Sequence, residues 1–329
     1  MRLSDFDYNL PKELIAQRPL KERDQAKLMV INRAQATIEH RTFKDILEYI
    51  GKEDTLVLND TRVLNCRLHG YRPTGGKVEI LLLNQKEGCV FNALIKPNRV
   101  KLNERIIFND HGISCQVTSR NEVTFSVSNA NAVYRLGLVP LPPYIKRKPD
   151  NQDAVYYQTV YARKDGSVAA PTAGLHFTQR LIKEIKSVGI NIAYVTLHIG
   201  YATFKPVKAE NVLNHKMDKE YFEIQDETEK LLNETKSRGA RIFAVGTTSC
   251  RVLETYALGM KRGYTELFIY PGHQFKMADC LLTNFHLPKT TLLILVSAFA
   301  GEKIIKKAYQ DAVEKKYRFY SYGDAMLIV

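Results

Sequence analysis

The chain has no Gly-x-Gly anywhere, no Cys-x-x-Cys and no His-Glu-x-x-His. Without the first it lacks the glycine-rich turn that a conventional nucleotide-binding methyltransferase sets after its first strand. The nearest approach to a phosphate loop is Gly70-Tyr71-Arg72-Pro73-Thr74-Gly75-Gly76-Lys77. There Gly76 stands where lysine is required, and Val78 replaces the hydroxyl residue that should follow the lysine. Five cysteines (Cys66, Cys89, Cys115, Cys250, Cys280) are odd in number and far apart, which argues against a disulfide framework or a zinc site. They read as reduced, mostly buried thiols, with Cys250 set beside Thr248 and Ser249. Long apolar runs are also missing: residues 291–300 make about half a membrane span. The first six residues hold no signal-peptide core, so a cytoplasmic protein with no membrane partner is expected. There is no internal repeat, no low-complexity segment and no heptad seam, and a monomer or weak homodimer is expected.

What is present is a soluble globular composition, 45% hydrophobic and 25% charged over 329 residues, enough for one large or two medium domains. The formal charge is +13, which favours a polyanionic partner. Residues 62–150 supply +8 of it, carrying 14 Lys and Arg against 6 acids. The same segment reads as β structure, with short runs at 77–83, 90–95, 113–117 and 123–127 separated by turns at 73–76 and 109–112. Ile113, Cys115 and Val117, then Val123, Phe125 and Val127, alternate onto one face, as in a small antiparallel barrel or sandwich.

Outside that segment the pattern is α/β. Strand-like runs at 55–58, 190–196 and 241–245 alternate with helical stripes. Thr178 reads as an N-cap for a stripe of Leu181, Ile182, Ile185 and Val188 that Gly189 stops. Asp226 with Glu229 resembles a capping box, and Ile304, Ile305, Ala308, Tyr309, Ala312 and Val313 repeat at helical spacing. The expectation is a large discontinuous α/β domain (1–61 and 152–329) whose helix-covered sheet is interrupted by the basic β module (62–151).

Several strand-like runs end in small and polar residues: Leu58-Asn59-Asp60-Thr61-Arg62, Val245-Gly246-Thr247-Thr248-Ser249, and Leu281-Leu282-Thr283-Asn284-Phe285-His286. Ala169-Ala170-Pro171-Thr172-Ala173-Gly174-Leu175-His176-Phe177 presents one imidazole on a Gly/Pro-kinked turn just before a helix. Such turns, beyond the carboxyl ends of strands, are where α/β folds bind ligands. They read as one composite pocket.

Over essentially its whole length the chain resembles the S-adenosylmethionine:tRNA ribosyltransferase-isomerases of queuosine biosynthesis. The likeness is carried by residues 58–63, 140–144, 157–161, 169–177, 195–204, 244–254, 268–272, 281–301 and 317–328. It departs at Tyr201-Ala202, where the family usually has Ala-Gly, and in the short connection at 256–266. The resemblance implies a discontinuous α/β domain interrupted by a β-barrel. It implies that the ribosyl part of S-adenosylmethionine moves onto a 7-aminomethyl-7-deazaguanine at the tRNA wobble position. Rearrangement then gives epoxyqueuosine-tRNA, and adenine and methionine leave. S-adenosylmethionine is consumed as a substrate, and no metal or other cofactor is implied.

In that light His176 is the first candidate for proton transfer, against a structural role orienting its own turn. His286 is the second, with Asn284 as a ligand contact, whereas His198 reads as a satisfied core residue. Thr172, Gly174, Gly246, Thr247, Thr248 and Arg251 are candidates for S-adenosylmethionine, with helix capping the competing role for Thr248. Asp60 and Arg62 form either a plain ion pair or a ribose or base contact. Tyr320, Tyr322 and Asp324 are base-contact candidates against a packing role, and Lys96, Arg99, Lys146 and Arg147 are candidates for tRNA phosphate.

Overall fold

The computed structural model describes residues 1–108, 112–204 and 207–329. In chain order its strands begin with β1 (Lys27–Asn32), β2 (Thr37–Thr42), β3 (Thr55–Asn59) and β4 (Thr61–Val63). Six follow in the basic segment: β5 (Arg67–Tyr71), β6 (Lys77–Gln85), β7 (Val90–Lys96), β8 (Arg105–Phe108), β9 (Ile113–Ser119) and β10 (Glu122–Phe125). After the short helices α1 (Ala130–Arg135) and α2 (Asp153–Tyr156) come β11 (Lys164–Ser167), α3 (Gln179–Ser187), β12 (Asn191–Leu197), β13 (Glu220–Ile224) and α4 (Asp226–Ser237). The chain closes with β14 (Ile242–Val245), α5 (Gly246–Tyr256), β15 (Arg262–Thr265), β16 (Cys280–Asn284), α6 (Thr291–Ala300), α7 (Glu302–Glu314) and β17 (Ala325–Ile328).

Nine strands form one mixed sheet in the order β15-β13-β12-β3-β14-β16-β17-β1-β2. Its centre, β12-β3-β14-β16, is parallel, and β17 runs antiparallel beside β16. Every residue of β3, β14 and β16 is buried, as parallel strands covered on both faces require. The period-2 alternation of side chains divides them between two cores. Leu56, Leu58, Phe243, Val245 and Leu282 pack with Phe43, Phe177 and with Leu181, Ile182 and Ile185 of α3, whereas Val188, expected in the same stripe, is exposed just past the helix. Val57, Ala244 and Leu281 face α5, α6 and α7. Thr178 caps α3 as expected, its Oγ1 accepting from Leu181 N at 3.1 Å. The apolar run expected at 291–300 is α6, a helix buried on most sides.

The basic module is a closed six-stranded barrel, β10-β7-β6-β5-β8-β9, which leaves no free strand edge. Cys115, Val117, Val123 and Phe125 do point into its core. Strands β5 and β8 were not legible, being short and broken by His69 and Gly70 or framed by charge. Most of the turn expected at 109–112 lies outside the described residues. The barrel is joined to the sheet through β4, which pairs in parallel with β11. All five cysteines are unpaired and buried. No helix among the described residues is long and apolar enough to cross a membrane.

One local expectation fails. Helix α4 is preceded by Gln225, with no side-chain cap, and Asp226 and Glu229 do not form a capping box. Both carboxylates instead pair with Lys261, on the connection leading into β15. A lysine from a neighbouring element outcompetes the local backbone for them.

Candidate active site

Because β3, β12, β14 and β16 run parallel, their last residues (Asn59, Leu197, Val245, Asn284) share one edge of the sheet, and the antiparallel β17 begins there. At that edge lies a cavity of about 440 Å³, within the range of small-molecule sites. Its wall draws on three of the four turns singled out above, Ala169–Ala173, Gly246–Thr248 with Arg251, and Thr283–Asn284 with His286, together with Tyr320–Ser321; the turn at 58–62 does not line it. Tyr144, Ile199, Phe268 and Leu295 add apolar surface.

Three polar atoms on this wall are buried and bonded to nothing: Thr248 Oγ1, Arg251 Nη2 and Asn284 Oδ1. Leaving such atoms unmet costs about 1–3 kcal/mol each. Three on one cavity mark a site shaped for a polar ligand. The Asn284 orientation is fixed by its Nδ2, which donates to His176 Nε2 at 3.2 Å and to the Tyr320 carbonyl at 3.0 Å. The opposite amide orientation would set oxygen against oxygen, so Oδ1 is left for the ligand. Tyr320 itself sits at φ 73°, costly for an aromatic side chain. Hydrogen bonds from its N–H to Phe285, and from Gly323 to its carbonyl, hold it there.

Gly246 opens α5 at φ 87°, a conformation a side chain resists, and so lets the first turn of the helix face the cavity. Thr248 is not the helix cap; that position is Val245, with no side-chain bond. Arg251 is 5% exposed and paired with the equally buried Glu220. Glu220 also lines the cavity and was missed in the sequence. The signal was there: β13 alternates Glu220, Phe222 and Ile224 onto its buried face, and a carboxylate on an apolar stripe needs a partner.

None of the three histidines is a free imidazole. His176 is stacked on Phe43 with ring centroids 4.8 Å apart. Burial, with Arg318 and Arg23 nearby, lowers its pKa to about 3, so it is neutral and accepts at Nε2. It does not line the large cavity. It borders a second cavity of about 20 Å³ with Arg23, Arg318 and Tyr322. His286 does line the large cavity; its Nε2 lies 2.9 Å from Thr283 Oγ1, and burial lowers its pKa to about 3 as well. His198 is satisfied, with Nδ1 2.8 Å from Thr61 Oγ1 and its ring on Tyr221.

The remaining candidates divide. Thr172 and Thr247 line the cavity. Gly174 does not: a Cβ there would fall 2.1 Å from Tyr161 Oη, so that glycine serves packing. Asp60 and Arg62 are not partners. Arg62 lies 3.4 Å from Asp165, whereas Asp60, its pKa raised by burial, accepts from Thr196 and faces Arg163. Asp324 is a buried brace that accepts from the backbone N–H groups of Lys27 and Arg318. Tyr322 Oη donates to Asp153, which also receives both terminal nitrogens of Arg147. That bidentate pair occupies the Arg147 guanidinium, which makes it a brace. Lys96, Arg99 and Lys146 are exposed. Among the described residues no three His, Cys, Asp or Glu are grouped to hold a metal ion.

An α/β sheet with a ligand-sized cavity at its carboxyl edge, joined to a closed barrel in a basic segment, is a two-part α/β fold with a small-molecule site. The family model described as "Queuosine biosynthesis protein" matches residues 3–328. Relatives named S-adenosylmethionine:tRNA ribosyltransferase-isomerase are 51% identical in Sulfurihydrogenibium sp. (strain YO3AOP1) and 49% in Acetivibrio thermocellus, each over the whole of both chains. The crystal structure of an S-adenosylmethionine tRNA ribosyltransferase from Thermotoga maritima is 37% identical, covers 99% of this chain and all of its own, and superposes with a TM-score of 0.59. The chain belongs to the S-adenosylmethionine:tRNA ribosyltransferase-isomerase family of queuosine biosynthesis, and is an enzyme of that family.

Proposed function

We propose that the protein transfers the ribosyl moiety of S-adenosylmethionine onto 7-aminomethyl-7-deazaguanine at the wobble position of tRNA. The group isomerises to an epoxycyclopentanediol, giving epoxyqueuosine-tRNA with release of adenine and methionine. The observation that carries this reading is a cavity with three unmet buried polar atoms, at the edge where three of the strand-end turns meet. The family supplies the donor and acceptor.

The chemistry suits the surroundings. A sulfonium acidifies the adjacent ribose C5′–H, so a positioned base can remove that proton. Electrophilic sugar intermediates must be kept from water, and Tyr144, Ile199, Phe268 and Leu295 supply an apolar wall. Asn284 Oδ1 and Thr248 Oγ1 offer an acceptor and a hydroxyl to the ribose or adenine. His286, on the wall, is the residue placed to meet a reacting proton; His176 acts through Asn284. S-adenosylmethionine is spent as substrate, and no further cofactor enters. The exposed Lys96, Arg99 and Lys146 contact tRNA phosphates in a cytoplasmic monomer or weak homodimer.

The test uses tRNA bearing the aminomethyl deazaguanine and S-adenosylmethionine labelled separately in its methyl and ribose groups. Ribose label should enter the tRNA as adenine is released. Methyl label in the tRNA would mean a methyltransferase, and tight tRNA binding with no label transferred would mean a binding module.

A further inference from the structure

Helix α5 turns one face to the cavity, with Thr247 and Thr248 four and three residues before Arg251, behind the open first turn at Gly246. Arg251 is the most constrained cation on this wall. Its Nε donates to the Leu267 carbonyl at 3.0 Å, and its Nη1 is paired with Glu220. Glu220 is fixed in turn, its Oε1 accepting from Gly200 N at 2.8 Å and from Thr203 Oγ1 at 3.4 Å. Two edges of the guanidinium are therefore clamped. The third nitrogen, Nη2, is buried and has no partner.

A guanidinium N–H left unmet in a low-dielectric cavity is best satisfied by an anion, since charge-assisted bonds are about twice as strong as neutral ones. The partial positive charge of the first turn of α5 acts in the same sense, about one helical turn away. In a sulfonium nucleoside without phosphates the only anion is the carboxylate of the amino-acid arm. Resting on the donor assigned above, we propose that Arg251 Nη2 binds the methionyl carboxylate of the donor, and that Glu220 is the positioning residue that aims it. The enzyme would thus recognise its donor by the amino-acid arm, at a point remote from the carbon that reacts. Arg251 then contributes binding that is equal in ground and transition states, so its loss raises KM and spares kcat.

Removing Arg251 alone would strand a buried carboxylate, so the test variant is the double substitution Glu220→Gln with Arg251→Met. The probes are S-adenosylmethionine and its decarboxylated analogue, with affinities measured by calorimetry on the full-length protein. The wild type should prefer S-adenosylmethionine by roughly 10- to 100-fold, the worth of a hydrogen bond to a charged group. The double variant should bind both nucleosides alike, with its affinity for the analogue unchanged and its melting temperature near that of the wild type. Arg251→Lys, which keeps the charge beside Glu220 but loses the planar fork, should narrow the preference even if the double variant does not fold.

A preference that survives both substitutions would overturn the assignment. So would an equal loss of both nucleosides, which marks a merely structural pair, or a fall in tRNA affinity with donor preference intact, which would place a phosphate at Nη2. If the wild type binds neither nucleoside while it binds tRNA, the donor reading of the cavity falls, and this assignment with it.

Discussion

At the scale of single residues, the division of labour between His176 and Asn284 decides how the site works. His176 is neutral and buried; it stacks on Phe43, bonds the Arg23 backbone and accepts from Asn284, and the last of these fixes the Asn284 amide so that Oδ1 is the unmet atom. Replacing it with Phe keeps the stacking on Phe43 but frees the amide. We expect kcat/KM to fall about tenfold, the value of one misdirected hydrogen bond. Loss of a proton carrier would cost about 100- to 10,000-fold and would change the shape of the pH–rate profile. His176 and His286 also carry a stability signature. Each titrates near pH 3 when folded and near pH 6.5 when unfolded. Below pH 6.5 the unfolded chain binds the extra protons, so stability is complete above that pH and is lost as pH falls towards 3. The slope is about 1.4 kcal/mol per pH unit for each histidine. Chemical denaturation between pH 5 and 7 should show the His176→Phe variant losing one of these two contributions; an unchanged slope would mean that His176 is charged in the folded protein.

At the scale of elements, β3, β12, β14 and β16 were legible because parallel strands at the covered centre of a sheet are apolar runs, as in β3 and β14, whereas β1, β2, β13, β15 and β17 were not singled out. Helix α3 was legible from Thr178 to Gly189 because its cap is local. Thr178→Ala should lower unfolding free energy by about 1 kcal/mol, measurable by urea titration, with activity retained. Where an element is defined by distant partners, the sequence fell short. Asp226 and Glu229 looked like a cap because nothing local reveals Lys261. Three of the four strand-end turns read as one pocket do line one cavity, the turn at 58–62 does not, and the role of each polar residue within them was open. Asp324 and Arg147 carry the right charges for ligands, but their partners, Lys27, Arg318 and Asp153, come from elsewhere in the chain. Glu220 was overlooked although it shares the face of Phe222 and Ile224, because its partner Arg251 lies on another element.

At the scale of the whole molecule, the segment 62–150, which contains the closed barrel and carries +8 of the +13 charge, is attached beside the cavity edge of a mixed sheet. The charge excess was plain in the composition; which cations stay free was not, since ion pairs claim Arg67, Arg72 and Arg147. Lys96→Glu with Arg99→Glu should weaken tRNA binding and lower its salt dependence by about one counterion for each phosphate no longer neutralised. Donor affinity should be unaffected, and a salt slope equal to that of the wild type would remove these residues from the interface. All of this depends on the cavity beyond β3, β14 and β16 being where the donor sits. A crystal structure of the enzyme with S-adenosylmethionine measures that directly. Density for the nucleoside within hydrogen-bonding reach of Asn284 Oδ1 and Thr248 Oγ1 is the expected result. An empty cavity, with the nucleoside bound on the barrel or at the second cavity beside Arg23 and Arg318, would contradict it.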